Sequence, residues 1–302
     1  MKKNINRSYL KVSVIIPTYN RPNLIRRAID SVLHQTYQNF EIIIIDGSPN
    51  DETEKVIQPY LTDSQIRYIH QKDIHTNTVE DRGKIAKARN KAVRKAKGKY
   101  IAPLDDDDFW CDKQKLEKQI QFLEKHPDYT LCAGGIIGIN QENPEKIFKT
   151  GTLYPEKDED IRKMMLMPEG FMQSSVVFRK KDWEAIGGYN EENPLGEDID
   201  LHLKLGKLGK MYSFQEYFTA YTWGEFERKH ITKYGRECLA NHIRTIMKYR
   251  NDYPNFYKAF LIILIRYLYS FLPFSIRNWL SPIKLKIQTL TRKSWGVSEK
   301  RI

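Results

Sequence analysis

Cysteine is scarce in this chain of 302 residues: Cys111, Cys132 and Cys238 are scattered, with no CxxC pair among them. That spacing argues against a zinc site or a disulfide framework and fits a reducing compartment. Long apolar runs are missing, and none approaches the roughly 20 residues of a spanning helix. Met1 to Lys11 is basic and polar, and the apolar run Val12 to Ile16 behind it is too short for a secretory leader, so none is expected. Neither GxGxxG nor a P-loop lysine motif occurs, which removes most of the support for a dinucleotide oxidoreductase or an ATPase. There is no internal repeat and no low-complexity tract. Acid is scarce in one region. From Arg228 to Ile302 there are 16 Lys/Arg against 3 Asp/Glu, a balance of +13, so the total of +12 leaves −1 for residues 1–227. The basicity belongs to a tail and points to an anionic partner there.

What is present is a core-forming composition, 40% apolar, long enough for one large α/β domain plus an appendage or for two domains. Lys11 to Ile16, Glu41 to Ile45, Gln65 to Ile69 and Tyr100 to Leu104 read as strands. Between them, helices are predicted from about Pro22 to Leu33, from Asp51 to about Tyr60, and from Lys84 to Lys97. Strand and helix in alternation make a parallel sheet. The fourth strand runs straight into Asp105-Asp106-Asp107-Asp108. Four adjacent carboxylates repel one another and cannot be buried without partners. At the carboxyl edge of an open α/β sheet, where ligands bind, hard oxygens suit Mg²⁺ or Mn²⁺ with phosphates as further ligands. The same run would also suit an acidic turn before a helix. Further on, Asp112 can cap a helix carrying Leu116, Ile120 and Leu123. Leu131 to Ile139 and Phe171 to Phe178 read as strands, Lys181 to Ile186 as a short helix, and Gly196-Glu197-Asp198 as the entry to a helix ending near Leu208.

Val14-Ile15-Ile16-Pro17-Thr18-Tyr19-Asn20, Glu41 through Asp46, Ala88-Arg89-Asn90, Gly98 through Ile101, Leu104 through Asp108 and Gly196-Glu197-Asp198 follow one another at plausible intervals. Together they resemble the family-2 glycosyltransferases of the GT-A fold, over about residues 11 to 225. The resemblance implies a Rossmann-like, mostly parallel sheet flanked by helices, with a nucleotide-binding half (11–110) and an acceptor half (111–227). It implies an inverting enzyme that takes a nucleoside-diphosphate sugar and a divalent metal, Mg²⁺ or Mn²⁺. Bacterial enzymes of this kind often build surface polysaccharides on glycan or lipid-linked acceptors. Two departures stand out. Gly47 follows Asp46 where many relatives carry a second carboxylate, which leaves Asp46 to read the base and makes the resemblance a weaker guide to uracil specificity. The Gln-x-x-Arg-Trp signature of processive synthases is absent, so one sugar per encounter is expected.

By the same resemblance, Pro17, Thr18, Tyr19 and Asn20 line the nucleotide pocket, and Asp46 accepts from a base N–H. Arg89 and Arg82 are candidates for the diphosphate, where a guanidinium gives bidentate contacts. In the Asp-x-Asp pattern, Asp107 is the first choice as metal ligand. Asp105 contacts the ribose or a metal-bound water, Asp106 the ribose or the sugar, and Asp108 caps the next helix. Asp198 is the candidate general base, with Glu197 holding the acceptor or taking that role. Trp183, Tyr189 and Trp223 are candidates for stacking on a sugar, against the commoner fate of buried aromatics. His230 is a candidate metal or phosphate contact.

The tail, 228–302, carries Ala259 to Ile265 and Tyr267 to Phe274, flanked by basic residues and followed by Trp279 and Trp295. That composition fits a helix lying in an anionic membrane interface on the cytoplasmic face. The alternative is a helical extension packed on the catalytic domain or on a second copy in a homodimer. Two other functions compete: a sugar-phosphate nucleotidyltransferase, which lacks support without a glycine-rich triphosphate loop, and a basic nucleic-acid-binding protein, for which the tail offers no recognised module.

Overall fold

A computed structural model describes residues 12–71, 83–140, 147–168, 170–193, 195–223, 225–273, 275–277, 279–280, 292–294 and 296–301, with backbone alone for 83–84, 147–150, 223, 225–234 and 299–301. Four strands form the parallel half: β1 (Val12–Thr18), β2 (Phe40–Asp46), β3 (Ile66–His70) and β4 (Tyr100–Pro103), in the spatial order β4-β1-β2-β3. Their side chains alternate between two cores. Ile15, Ile43, Ile45 and Ile101 enter one. Val14, Ile16, Ile42, Ile44 and Ala102 enter the other, with α1 (Pro22–Leu33) laying Ile25, Ala28, Ile29 and Val32 against them. The crossovers are α1, α2 (Glu52–Ile57) and α3 (Gly83–Lys95). The second helix gives way to a 3₁₀ turn over Gln58–Thr62, where Pro59 has no N–H to continue the ladder. Before β4 the chain is pinned to β1: Gly98 N donates to Ser13 Oγ at 2.8 Å, and a Cβ on Gly98 would stand 2.5 Å from Ser13 N. Only glycine fits that approach.

Beyond β4 the pairing turns antiparallel. β5 (Phe109–Trp110) follows the acidic run, then α4 (Lys115–Lys125), β6 (Tyr129–Asn140), β7 (Ile147–Leu153), α5 (Asp158–Met164), β8 (Val177–Arg179), α6 (Lys180–Ala185), α7 (Glu197–Leu208) and β9 (Lys210–Trp223). β8 joins β4 to β6, and the long β9 runs parallel to β6 and antiparallel to β5. The acidic run is therefore clamped between the end of β4 and a strand paired to β9. The strand expected over Phe171 to Phe178 is corrected to Val177–Arg179 alone. Gln173–Ser175 form a 3₁₀ turn instead, because their polar groups have local and cross-chain partners: Ser175 N donates to Met172 O, and Ser174 Oγ to Asp108 Oδ2 at 2.6 Å.

The boundary expected at 227/228 falls inside α8 (Glu225–Lys248), which leads to α9 (Phe256–Tyr269). Ile246, Tyr249, Tyr253, Ala259 and Ile263 share one apolar core with Ile15 and Ile43. Asp200 on α7 ties these helices down, accepting from Lys248 Nζ at 2.9 Å and Tyr249 OH at 2.7 Å. A short β10 (Ser298–Arg301) pairs with β7.

Candidate active site

The carboxyl ends of β1, β2 and β4 lie side by side, and Arg89 links the turn after β4 to the amino end of α7. Asp105 to Asp108 form a tight turn, closed by Asp108 N donating to Asp105 O at 3.1 Å. Each carboxylate meets a different neighbour. Asp105 Oδ1 accepts from Arg89 Nη2 at 2.5 Å. Asp106 is buried; its Oδ2 accepts from Thr18 Oγ1 at 2.7 Å and its Oδ1 from Arg21 Nη1 at 2.9 Å. Burial raises the Asp106 pKa, and Arg21 opposes the rise. Asp107 Oδ2 accepts from the same Arg21 nitrogen at 2.5 Å, and its side chain keeps 17% exposure.

Asp108, expected to cap the next helix, does not. It is buried, accepts from Ser174 Oγ and from Thr222 N at 3.1 Å, and α4 begins only at Lys115. Burial first, then Asp107, pushes its pKa well above the carboxylate range. It is a fastener between the turn and β9. Arg27 completes the frame, donating to Asp107 O at 2.7 Å and Thr222 Oγ1 at 2.6 Å.

The donor set fits a hard divalent ion. Oxygens of Asp106 and Asp107 converge on one cationic nitrogen, which shows that they can share a cation. Among the described residues no three His, Cys, Asp or Glu side chains are grouped to hold a metal. That suits an ion taking one or two carboxylates and completing its shell with phosphate and water. The converging pair is Asp106 with Asp107, rather than Asp105 with Asp107.

Arg89 is 3% exposed, so its expected contact with a diphosphate is hard to make from here. Its two terminal nitrogens bridge Asp105 and Glu197, and its Nε has no hydrogen-bond partner among the described residues. Burial works to lower its pKa, but Asp105 and Glu197 hold it above the ordinary value. Glu197 is pushed up to about 7 by burial, with Arg89 opposing. Gly196, at φ +100°, makes the turn that starts α7 and sets Glu197 and Asp198 side by side. Asp198 is half-buried and accepts from Ile199 N at 2.8 Å. One turn on, His202 is buried and held neutral, its pKa lowered by burial to about 4.

Pro17 and Thr18 end β1, with Tyr19 half-buried and Asn20 exposed at φ +52° beyond them. Asn20 N donates to Ser48 Oγ at 2.8 Å, which fixes the loop against the end of β2. Asp46 is 0% exposed and accepts from Ser48 N at 2.8 Å, Ser48 Oγ at 2.5 Å and Tyr68 OH at 2.7 Å. Trp183 and Tyr189 are core residues, 5% and 2% exposed, which overturns their candidacy as a sugar platform. Arg82 and Trp295 lie outside the described residues, as do the side chains of Trp223 and His230. Sequence reasoning missed Arg21, Arg27, Ser48, Tyr68, Ser174 and Thr222. The one available signal was that Arg21 directly follows the Pro17 to Asn20 motif.

Residues 13–185 match the profile described as glycosyl transferase family 2. A putative teichuronic acid biosynthesis glycosyltransferase of Bacillus subtilis, TuaG, is 41% identical over 130 residues, covering 43% of this chain and 46% of that one. S. aureus TarS 1–349 in complex with UDP shares the fold at TM-score 0.58 and 20% identity, over 90% of this chain and 74% of that one. The mannosyltransferase PcManGT of Pyrobaculum calidifontis, solved with GDP-Man and Mn²⁺, does so at TM-score 0.60 and 17% identity, over 84% and 69%. The chain spans 36% and 38% of the length of the first curated relatives it matches. Profile, fold and motif order agree, and the chain belongs to glycosyl transferase family 2.

Proposed function

We propose that this chain is a non-processive, inverting glycosyltransferase, moving a hexosyl or N-acetylhexosaminyl group from a nucleoside-diphosphate sugar, UDP-linked in the first instance, to a glycan or lipid-linked acceptor of the cell surface. The observation that carries the reading is the Asp105–Arg89–Glu197 chain of ion pairs. It couples the acidic turn, where a diphosphate would lie, to the helix start that bears Asp198. TarS bound to UDP and the teichuronic-acid relative support the donor and acceptor classes.

In this reading Tyr19 and the loop to Asn20 receive the nucleoside. Asp46 reads a base N–H beside the Tyr68 hydroxyl, which already donates to its Oδ2. Asp106 and Asp107 would hold Mg²⁺ or Mn²⁺, and the ion would neutralise charge on the departing diphosphate. Asp198 takes the proton of the acceptor hydroxyl. The acceptor oxygen bonds to the anomeric carbon from the face opposite the leaving group, and the electron pair of the broken C–O bond leaves on the nucleoside diphosphate. The test is release of nucleoside diphosphate from a panel of UDP-, GDP- and dTDP-sugars. Hydrolysis of one donor with Mg²⁺ or Mn²⁺ is expected. Turnover of sugar phosphate with a nucleoside triphosphate would transfer the assignment to a nucleotidyltransferase.

The tail reading takes a definite form. No helix among the described residues is long and apolar enough to cross a membrane. On α9, Ala259 and Ile263 are buried, while Tyr257, Leu261, Ile265 and Leu268 stand 85, 56, 55 and 58% exposed at helical spacing. Trp279 follows at 76%. This apolar stripe within a strongly basic segment suits peripheral attachment to an anionic membrane on the cytoplasmic face, each nearby Lys or Arg adding about 1 kcal/mol before screening by salt. Truncation near residue 227 would strip Ile246, Ala259 and Ile263 from the core, so surface substitutions are the cleaner test. The wild type should float with anionic liposomes at low salt, and Leu261→Gln/Ile265→Gln/Leu268→Gln should stay in solution. A wild type that never floats would make the stripe a packing or dimer face.

A further inference from the structure

Arg21 bridges two carboxylates of the acidic turn. Its Nη1 lies 2.9 Å from Asp106 Oδ1 and 2.5 Å from Asp107 Oδ2, so one nitrogen satisfies the two carboxylates best placed to share a divalent cation. The Asp106 carboxylate and the Asp107 backbone have anchors besides Arg21. Asp106 is fixed through Oδ2 by Thr18, and the Asp107 backbone oxygen is fixed by Arg27 and Thr222. The guanidinium is the most exposed of the three side chains. Its side chain keeps 24% exposure against 6% for Asp106, and it sits at the flank of α1, directly after the left-handed Asn20.

We propose that Arg21 is the resident cation of the metal site: it closes the Asp106–Asp107 pair in the donor-free enzyme and is displaced when a divalent ion enters. The inference rests on the metal-dependent reading above. Repulsion between the guanidinium and a doubly charged ion opposes their binding to the same two oxygens together. An ion that takes both oxygens displaces the guanidinium, and its apparent affinity falls to the extent that the pair is closed. Once displaced, Arg21 stays tethered beside the ion, where its planar fork matches phosphate oxygens. A donor diphosphate that engages it would hold the carboxylates open, so nucleotide and metal would bind cooperatively without any further moving part.

The test is Mn²⁺ binding to the intact protein without nucleotide, followed by the EPR signal of free Mn²⁺. Arg21→Gln should bind Mn²⁺ about tenfold or more tightly than the wild type, for a pair open about a tenth of the time. Arg26→Gln removes an equal charge from the exposed side of the same helix and should change nothing. Adding UDP should raise Mn²⁺ affinity more in the wild type than in Arg21→Gln. Equal Mn²⁺ affinity in wild type and Arg21→Gln, abolished in both by Asp107→Ala, overturns the proposal and leaves the metal reading standing. Absence of Mn²⁺ binding from all of them, with and without UDP, overturns both. Should Arg21→Gln fail to fold, Arg21→Met decides: it removes the cation and keeps the aliphatic stem, so affinity above the wild type supports displacement, and affinity equal to it overturns the proposal.

Discussion

Asp198→Asn should lower sugar transfer about 10²–10⁴-fold while nucleoside-diphosphate binding survives. The amide keeps the shape of the carboxylate and loses only its capacity to take a proton. The structure favours Asp198 over its neighbour on accessibility. Asp198 is half-buried and accepts from the adjacent Ile199 N, whereas Glu197 is buried and spent on Arg89. Glu197→Gln should therefore act differently, loosening Arg89 and with it Asp105, and weakening donor binding along with turnover. Calorimetry with UDP beside a transfer assay separates the two. Normal turnover in Asp198→Asn would remove it from the chemistry. Loss of UDP binding in that variant would make it part of the donor pocket instead.

The strands could be read from the chain because a strand covered on both faces must be apolar throughout, as in Val14-Ile15-Ile16 and Ile42-Ile43-Ile44-Ile45. The acidic turn was visible for the opposite reason, since four carboxylates ending an apolar run have few structural uses. What hid was every partner supplied from far along the chain. Arg21 meets Asp106 across 85 residues, and Thr222 meets Asp108 across 114. No local periodicity encodes such pairs. The 3₁₀ turn at Gln173–Ser175 was misread because the flanking Phe171, Val176, Val177 and Phe178 look like strand. The intervening polar side chains bind Tyr189 and Asp108 and draw the backbone out of the ladder. Arg89 was marked as functional from its motif, but its burial could not be seen. A basic helix such as Lys84 to Lys97 does not announce which one of its cations turns inward.

That inward turn sets the largest stability effect. Arg89→Met should destabilise the protein by at least about 1 kcal/mol at pH 8, read by urea unfolding, because it leaves a buried carboxylate without its counter-charge, a cost that protonation limits to about 1.4 kcal/mol per pH unit above about 7. Glu197 carries most of this, its side chain being 10% exposed against 29% for Asp105, which water can still reach. Arg89→Lys should recover only part, since one ammonium cannot span two carboxylates held by separate nitrogens of a fork. The loss should also depend on pH. In the wild type Glu197 already sits at about 7 with Arg89 opposing the rise, so removing Arg89 lifts it further. A carboxyl whose folded pKa is raised withdraws stability as pH rises from its unfolded value to its folded one, and the loss is complete above that. The Glu197 share of the deficit is thus fully present above the variant's raised pKa and fades as pH falls through about 7. Unfolding at pH 8.5 and pH 6 should show the gap between wild type and Arg89→Met narrowing at the lower value. Adding Glu197→Gln to Arg89→Met should restore stability at pH 8.5, because the unpaired charge goes with it. A pH-independent gap, or no gain in the double variant, would place the cost in lost packing of the guanidinium rather than in the buried charge.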